Sequence, residues 1–146
     1  MSVQIIIDST VDVAARYRDR FRVVPLTIHF GDEEWVDGVT LDKTRFYERL
    51  IETDQLPTTS QATPQAFADV LEEVKRAGDS AVILTLSSKL SGTYQSACIA
   101  AAEYEDVFVV DTQTAAIGSG ILAEYALDCV AQGMSARELA AHLEQK

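Results

Sequence analysis

Histidine, cysteine and positive charge are all scarce in this 146-residue sequence, and each shortage narrows what the chain can do. The two histidines, His29 and His142, stand 113 positions apart. With Cys98 and Cys129 they form no Cys/His cluster, so a zinc site has almost no support. Both cysteines lie in helical patterns among alanine and aliphatic residues, which reads as buried free thiols rather than a disulfide or metal pair. Twelve Lys and Arg against 23 Asp and Glu leave a net charge of −11. Such a surface repels phosphate backbones and anionic membranes, which excludes non-specific nucleic-acid binding but not one small anion in a local pocket. No apolar run approaches the ~20 residues that span a bilayer. Met1-Ser2-Val3-Gln4 has no basic region or cleavage site of a signal peptide, so a cytoplasmic protein is expected. A phosphate-loop lysine motif and Gly-x-Gly-x-x-Gly are both missing, which removes the ordinary nucleotide-binding readings.

What is present is the composition of one ordinary domain, 47% apolar and 24% charged, able to bury a core. Strand and helix signals alternate along the whole length. Val3 to Ile7 is a β-branched run suited to a buried parallel strand, and a helical stretch is expected around Val11 to Arg20. Arg22 to Phe30 is again rich in β-branched residues, with a turn at Gly31-Asp32 and a hairpin-like excursion over Glu34 to Val36. Asp32-Glu33-Glu34 reads as a solvated turn. A helix is expected from about Leu41 to Thr53, then a loop, Leu56-Pro57-Thr58-Thr59-Ser60-Gln61. Thr63-Pro64 reads as N-cap and first helical residue of a helix to about Ala77, with Phe67, Val70, Leu71 and Val74 inward and Gly78 as its stop. Ser80 to Leu86 is a second buried-strand pattern, followed by a helix from Thr93 to about Tyr104 and a strand over Val107 to Val110. A helix from about Gly120 to Ala131 precedes a last one opened by Ser135-Ala136-Arg137-Glu138, the capping-box pattern. The expected fold class is α/β, with a mainly parallel sheet and helices on both faces, residues 1–146 making a single domain.

Ligands of such sheets bind beyond the carboxyl ends of the strands. Here those ends carry hydroxyls and few bases: Asp8, Ser9 and Thr10; Ser87, Ser88 and Ser91; Asp111 and Thr112; and the loop Thr58-Thr59-Ser60-Gln61. Hydroxyls and free amides at helix N-termini make a ready anion site, although the same residues cap helices in proteins that bind nothing. Gly92 favours the site, because a residue without Cβ lets a ligand approach the backbone. Enzyme patterns fit poorly. A haloacid-dehalogenase-type phosphatase needs a second aspartate two positions after Asp8, where Thr10 stands. A serine hydrolase needs Gly-x-Ser-x-Gly and a histidine base; neither Ser91 nor Gly118-Ser119-Gly120 supplies the glycine spacing. His29, on one strand face with Thr27 and opposite Val24, Leu26, Ile28 and Phe30, reads as structural, as does His142. Trp35, Phe46 and Tyr47 read as core packing before a ligand wall.

Ile6-Ile7-Asp8-Ser9-Thr10, Val24-Pro25-Leu26, Trp35-Val36-Asp37-Gly38, Phe46-Tyr47, Pro57-Thr58-Thr59-Ser60-Gln61 and Leu86-Ser87-Ser88-Lys89-Leu90-Ser91-Gly92-Thr93-Tyr94-Gln95-Ser96-Ala97 occur in that order. Together they resemble the amino-terminal domain of the DegV family of bacterial fatty-acid-binding proteins. The resemblance implies that the chain binds a long-chain fatty acid as its ligand, with no other cofactor and no metal. It places the carboxylate on Thr59 and Ser91, with Ser60, Gly92 and Thr93 as neighbours. It also implies a fatty acid kinase as partner, which would make acyl phosphate for phospholipid synthesis, the binding protein itself doing no chemistry. The family usually carries a second domain with a Gly-Gly-Arg-Ile-like segment, and the sequence stops at Lys146 without one. A lone domain is expected to show an apolar surface that favours self-association. The alternatives are a small hydrolase or transferase with Ser91 or Asp8 as nucleophile, and a non-binding half that needs a missing domain.

Overall fold

The computed structural model describes residues 3–9, 11, 13, 15–30, 33–36, 58–60, 62–89, 92–113 and 117–144, with the strands at 27–30, 33–36 and 58–60 described through their backbone. Strand β1 (Val3–Asp8) leads through a 3-10 turn (Ala15–Arg20) to β2 (Arg22–Val24). Then come β3 (Thr27–Phe30), β4 (Glu33–Val36) and β5 (Thr58–Ser60), followed by helix α1 (Pro64–Arg76) and β6 (Ser80–Thr85). Helix α2 (Thr93–Ala101), β7 (Val107–Asp111), α3 (Ile117–Ala131) and α4 (Ala136–Glu144) complete the order.

β2, β1, β6 and β7 form a four-stranded parallel sheet in that order. Ile6 pairs with Ile83 and Ile7 with Leu84, so the two central strands present like residues to the same side. Because successive side chains alternate faces, one side carries Ile5, Ile7, Val82, Leu84 and Val110 against α3 and α4, through Ala123, Ala126, Leu139 and Leu143. The other carries Ile6, Ala81 and Ile83 against α1 and α2, through Phe67, Leu71, Val74, Ala97 and Ala100. Each fully buried aliphatic or aromatic side chain contributes roughly 1.5–3 kcal/mol of transfer free energy, and β6 is buried along its whole length.

The helix ends follow their local chemistry. Thr63 accepts the Ala66 amide at 3.1 Å and Pro64 opens α1. Gly78, at φ 74°, closes it with the paired bonds Gly78 N–H to Lys75 and Asp79 N–H to Val74. Ser135 accepts the Glu138 amide at 3.2 Å and donates to that glutamate's Oε1 at 3.0 Å.

Several expectations need correction. Of the helical stretch expected around Val11 to Arg20, Ala15–Arg20 forms a 3-10 turn rather than an α-helix, and Val11 and Val13 are both buried. Arg22 to Phe30 is two strands in two sheets. Pro25 has no N–H to continue a ladder, and the Leu26 amide goes to Ser9 Oγ at 2.9 Å instead. Val24 and Leu26 therefore do not share one strand face with Ile28 and Phe30. β3 pairs antiparallel with β4, Phe30 opposite Glu33, and with β5 in a second, three-stranded sheet. The hairpin is thus present, but Glu33 and Glu34 belong to its strand rather than to a turn. Helix α2 ends at Ala101 and α3 starts at Ile117. Both cysteines are free thiols, Cys129 buried and Cys98 half-buried. The expected helix from Leu41 to Thr53 lies outside the described residues, with Phe46, Tyr47 and Thr10.

Candidate functional site

The connections out of β1 and β6 leave on opposite sides of the sheet. From β1 the chain passes to β2 on the face where Phe21 and Tyr17 pack, and from β6 it passes through α2 on the other face. Neighbouring strands whose connections diverge open a crevice beyond their carboxyl ends, the usual ligand position in such sheets. Three side chains line up along that edge on the α1/α2 side. Asp8 follows the Ile7–Leu84 pair and Thr85 pairs with Asp111, so β1, β6 and β7 contribute Asp8, Thr85 and Asp111 in a row.

Asp8 is completely buried, and its Oδ2 accepts the Leu86 amide at 2.7 Å. That bond holds the first residue past β6 to the end of β1. Asp111 binds the same loop from the other side: Ser88 Oγ donates to its Oδ2 at 2.5 Å, and the Ser88 and Gln113 amides donate to Oδ1 at 3.2 and 2.8 Å. Thr112 Oγ1 donates to the Thr85 carbonyl at 2.7 Å, and Ser87 Oγ accepts the Lys89 amide at 3.2 Å. Most of the hydroxyls seen in the sequence here shape the loop itself, which is the capping role any α/β protein could show.

The Thr58-Thr59-Ser60 segment, expected as part of a loop, forms strand β5 by pairing with β3, and it reaches this edge through one bond. The Ala62 amide donates to Thr93 Oγ1 at 3.3 Å, between buried groups. β5, which carries Thr58, Thr59 and Ser60, ends two residues before Ala62, and Thr93 opens α2. The bond therefore sets the end of β5 beside the start of α2. Thr59 and Ser60 are placed by backbone pairing, opposite Ile28 and Thr27, and Ser91 lies outside the described residues. Gly92 is the N-cap of α2 and has no side chain to offer its first-turn amides. Thr93, expected beside the ligand, is fully buried and serves as the tether. A hydrogen bond with Cys98, then partial burial, raise Tyr94 above the ordinary tyrosine range.

Asp8, weighed as a nucleophile, has its carboxylate committed to the Leu86 amide beneath the loop. His142 stands half-buried on α4, 2.7 Å from the Tyr125 hydroxyl of α3, on the other side of the sheet from α2. Among the described residues no three His, Cys, Asp or Glu stand together as a metal site, and no helix is long and apolar enough to cross a membrane. Two groups escaped sequence reasoning. The Ser88–Asp111 pair spans 23 positions, although both residues were marked as strand-end polar groups. Thr85 carried no signal, being a β-branched residue inside a strand pattern.

Residues 2–146 match the model of the DegV family. The chain belongs to the DegV family. A DegV domain-containing protein of Clostridium perfringens is 33% identical over 141 residues, covering 94% of this chain and 50% of that protein. A fatty acid-binding protein of Thermotoga maritima is 32% identical over 155 residues, covering the whole chain and 53% of the relative. Among solved structures, a fatty-acid-binding DegV family protein from Thermus thermophilus superposes with a TM-score of 0.86 at 36% identity, over 99% of this chain and 53% of its own. The DegV-like α/β architecture is thereby established, and the chain spans about half the length of the relatives it matches.

Proposed function

We propose that this DegV chain binds a long-chain fatty acid and holds its carboxylate with hydroxyls of Thr59 and Ser91, with Ser60, Gly92 and Thr93 as neighbours. The observation that supports this most is the Ala62–Thr93 bond, which places the β5 segment next to the start of α2. Two segments 31 residues apart then flank one helix N-terminus, where free amides and the helix dipole favour a negative group. The relatives named for fatty-acid binding support the choice of ligand. Burying methylenes contributes about 0.8 kcal/mol each, so the acyl chain supplies most of the affinity and the head group sets orientation. In this reading the protein performs no chemistry and presents the acid to a fatty acid kinase, for acyl phosphate and phospholipid synthesis.

The test is mass spectrometry of the purified chain, native and then after organic extraction. A near-stoichiometric fatty acid is the expected result, and Ser91→Ala should weaken binding of that acid by roughly 1.5–3 kcal/mol, one charge-assisted hydrogen bond. A chain that carries no lipid and takes up none on titration refutes the proposal. Unchanged affinity in Ser91→Ala removes Ser91 from it.

A further inference from the structure

Thr85 closes β6 and is completely buried, yet its hydroxyl has no hydrogen-bond partner among the described residues. Its main chain is well served, since the carbonyl accepts from both the amide and the hydroxyl of Thr112, at 3.2 and 2.7 Å. Only the side chain is orphaned. Strand alternation fixes its direction. Ala81 and Ile83 share its parity and pack with Phe67, Leu71, Ala97 and Ala100, so the Thr85 hydroxyl enters the α1/α2 layer at the carboxyl edge. There it stands between Asp8 and Asp111 in the row described above. The helix that begins over that edge is α2, whose N-cap is the side-chain-free Gly92. Valine would fill the same space without burying a hydroxyl, so threonine here costs stability unless an oxygen meets it.

We propose that Thr85 is a positioning residue for the head group. Its hydroxyl donates to an oxygen seated under the N-terminus of α2, either a carboxylate oxygen of the acid or a water that bridges to it. This rests on the fatty-acid reading of the same site. It adds a third hydroxyl, from the end of β6, to those of Thr59 in β5 and Ser91, and it makes acid-over-alcohol discrimination depend on the end of β6.

The experiment compares wild type, Thr85→Val and Thr85→Ser in the full 146-residue chain. Each is titrated with a saturated long-chain fatty acid and with the alcohol of the same length, and each is melted without lipid. Thr85→Val should melt a few degrees higher, because the buried hydroxyl is gone. It should bind the acid about three- to tenfold more weakly, bind the alcohol as wild type does, and regain acid binding as Thr85→Ser. Equal acid affinity in wild type and Thr85→Val overturns the role of Thr85 while leaving fatty-acid binding intact. Equal losses for acid and alcohol, or a lower melting temperature in Thr85→Val, show a packing role and overturn it too. A wild type that binds neither lipid overturns the fatty-acid reading, and this inference with it.

Discussion

The two ends of the four-stranded sheet face the same problem and solve it with different chemistry. Where strands begin, long polar side chains pair with one another near solvent. Gln4 Nε2 donates to Asp79 at 2.7 Å, Arg22 Nε donates to Gln4, and Arg22 Nη1 meets Glu73 at 2.5 Å. Tyr104 donates to Glu72 at 2.7 Å beneath the Lys75 ammonium, 6.0 Å from the ring. Where strands end, short side chains serve the backbone under cover: Asp8 takes the Leu86 amide, Ser9 the Leu26 amide and Thr93 the Ala62 amide. Exposed pairs exchange one set of water contacts for another and gain little. Buried bonds to backbone are costly to lose, because the abandoned amide cannot return to water. Closing the carboxyl edge from below with small groups leaves its upper surface to glycine, hydroxyls and free amides, the materials of a ligand site.

The largest effect should come from Asp8. Asp8→Ala strands the Leu86 amide in a fully buried position and should lower the unfolding free energy by about 2–3 kcal/mol in urea denaturation. Asp8→Asn keeps an acceptor oxygen and should recover part of that loss. A drop below about 1 kcal/mol for the alanine variant would put Asp8 in the class of exposed pairs and erase the distinction between the two ends.

What could be read from the sequence was what neighbouring residues decide together. Thr63-Pro64 and Gly78 bracket α1 as expected, because a cap needs partners only three or four residues away. Ser135 and Glu138 open α4 in the same local way. The buried runs Val3–Ile7 and Ser80–Leu86 announced the central strands by composition alone. Partner choice was not legible, since nothing near Pro25 says that Val24 joins one sheet and Thr27 another. Asp8 looked like a reactive or ligand-binding group because its partner, Leu86, lies 78 positions away. Thr93 was placed beside the ligand by family resemblance, and its bond to the Ala62 amide, 31 positions away, was not legible. The pairing of Thr59 with Ser91 came from family resemblance, and no spacing rule would have supplied it.

A smaller effect is expected from Arg22 at the opposite end. Its side chain is 38% exposed and that of Glu73 58%, so water and salt screen the pair. Arg22→Ala should cost no more than about 1 kcal/mol, and the difference from wild type should shrink as ionic strength rises. Gln4 keeps Asp79 as a partner when Arg22 is gone. A loss larger than that of Asp8→Ala would invert the ranking, making the amino end the firmer closure.

Tyr104 should give the smallest effect on stability and the sharpest signal in titration. Its hydrogen bond to Glu72, then partial burial and the charges of Glu72 and Glu103, push its hydroxyl from 10.0 up to about 12. A proton held more tightly in the folded chain stabilises the fold while the unfolded tyrosine is still protonated. That contribution is complete below pH 10 and is lost as pH rises from 10 through about 12. Solvent screening at this surface position keeps it small in free energy. The absorbance of phenolate, taken as wild type minus Tyr104→Phe, isolates the one hydroxyl. It should still be mostly protonated at pH 10. Half-ionisation already at pH 10, the ordinary tyrosine value, would mean that Tyr104 and Glu72 part in solution. The amino end would then be a rim of separately hydrated side chains, and the contrast with the bonded carboxyl edge would be wider than the distances alone imply.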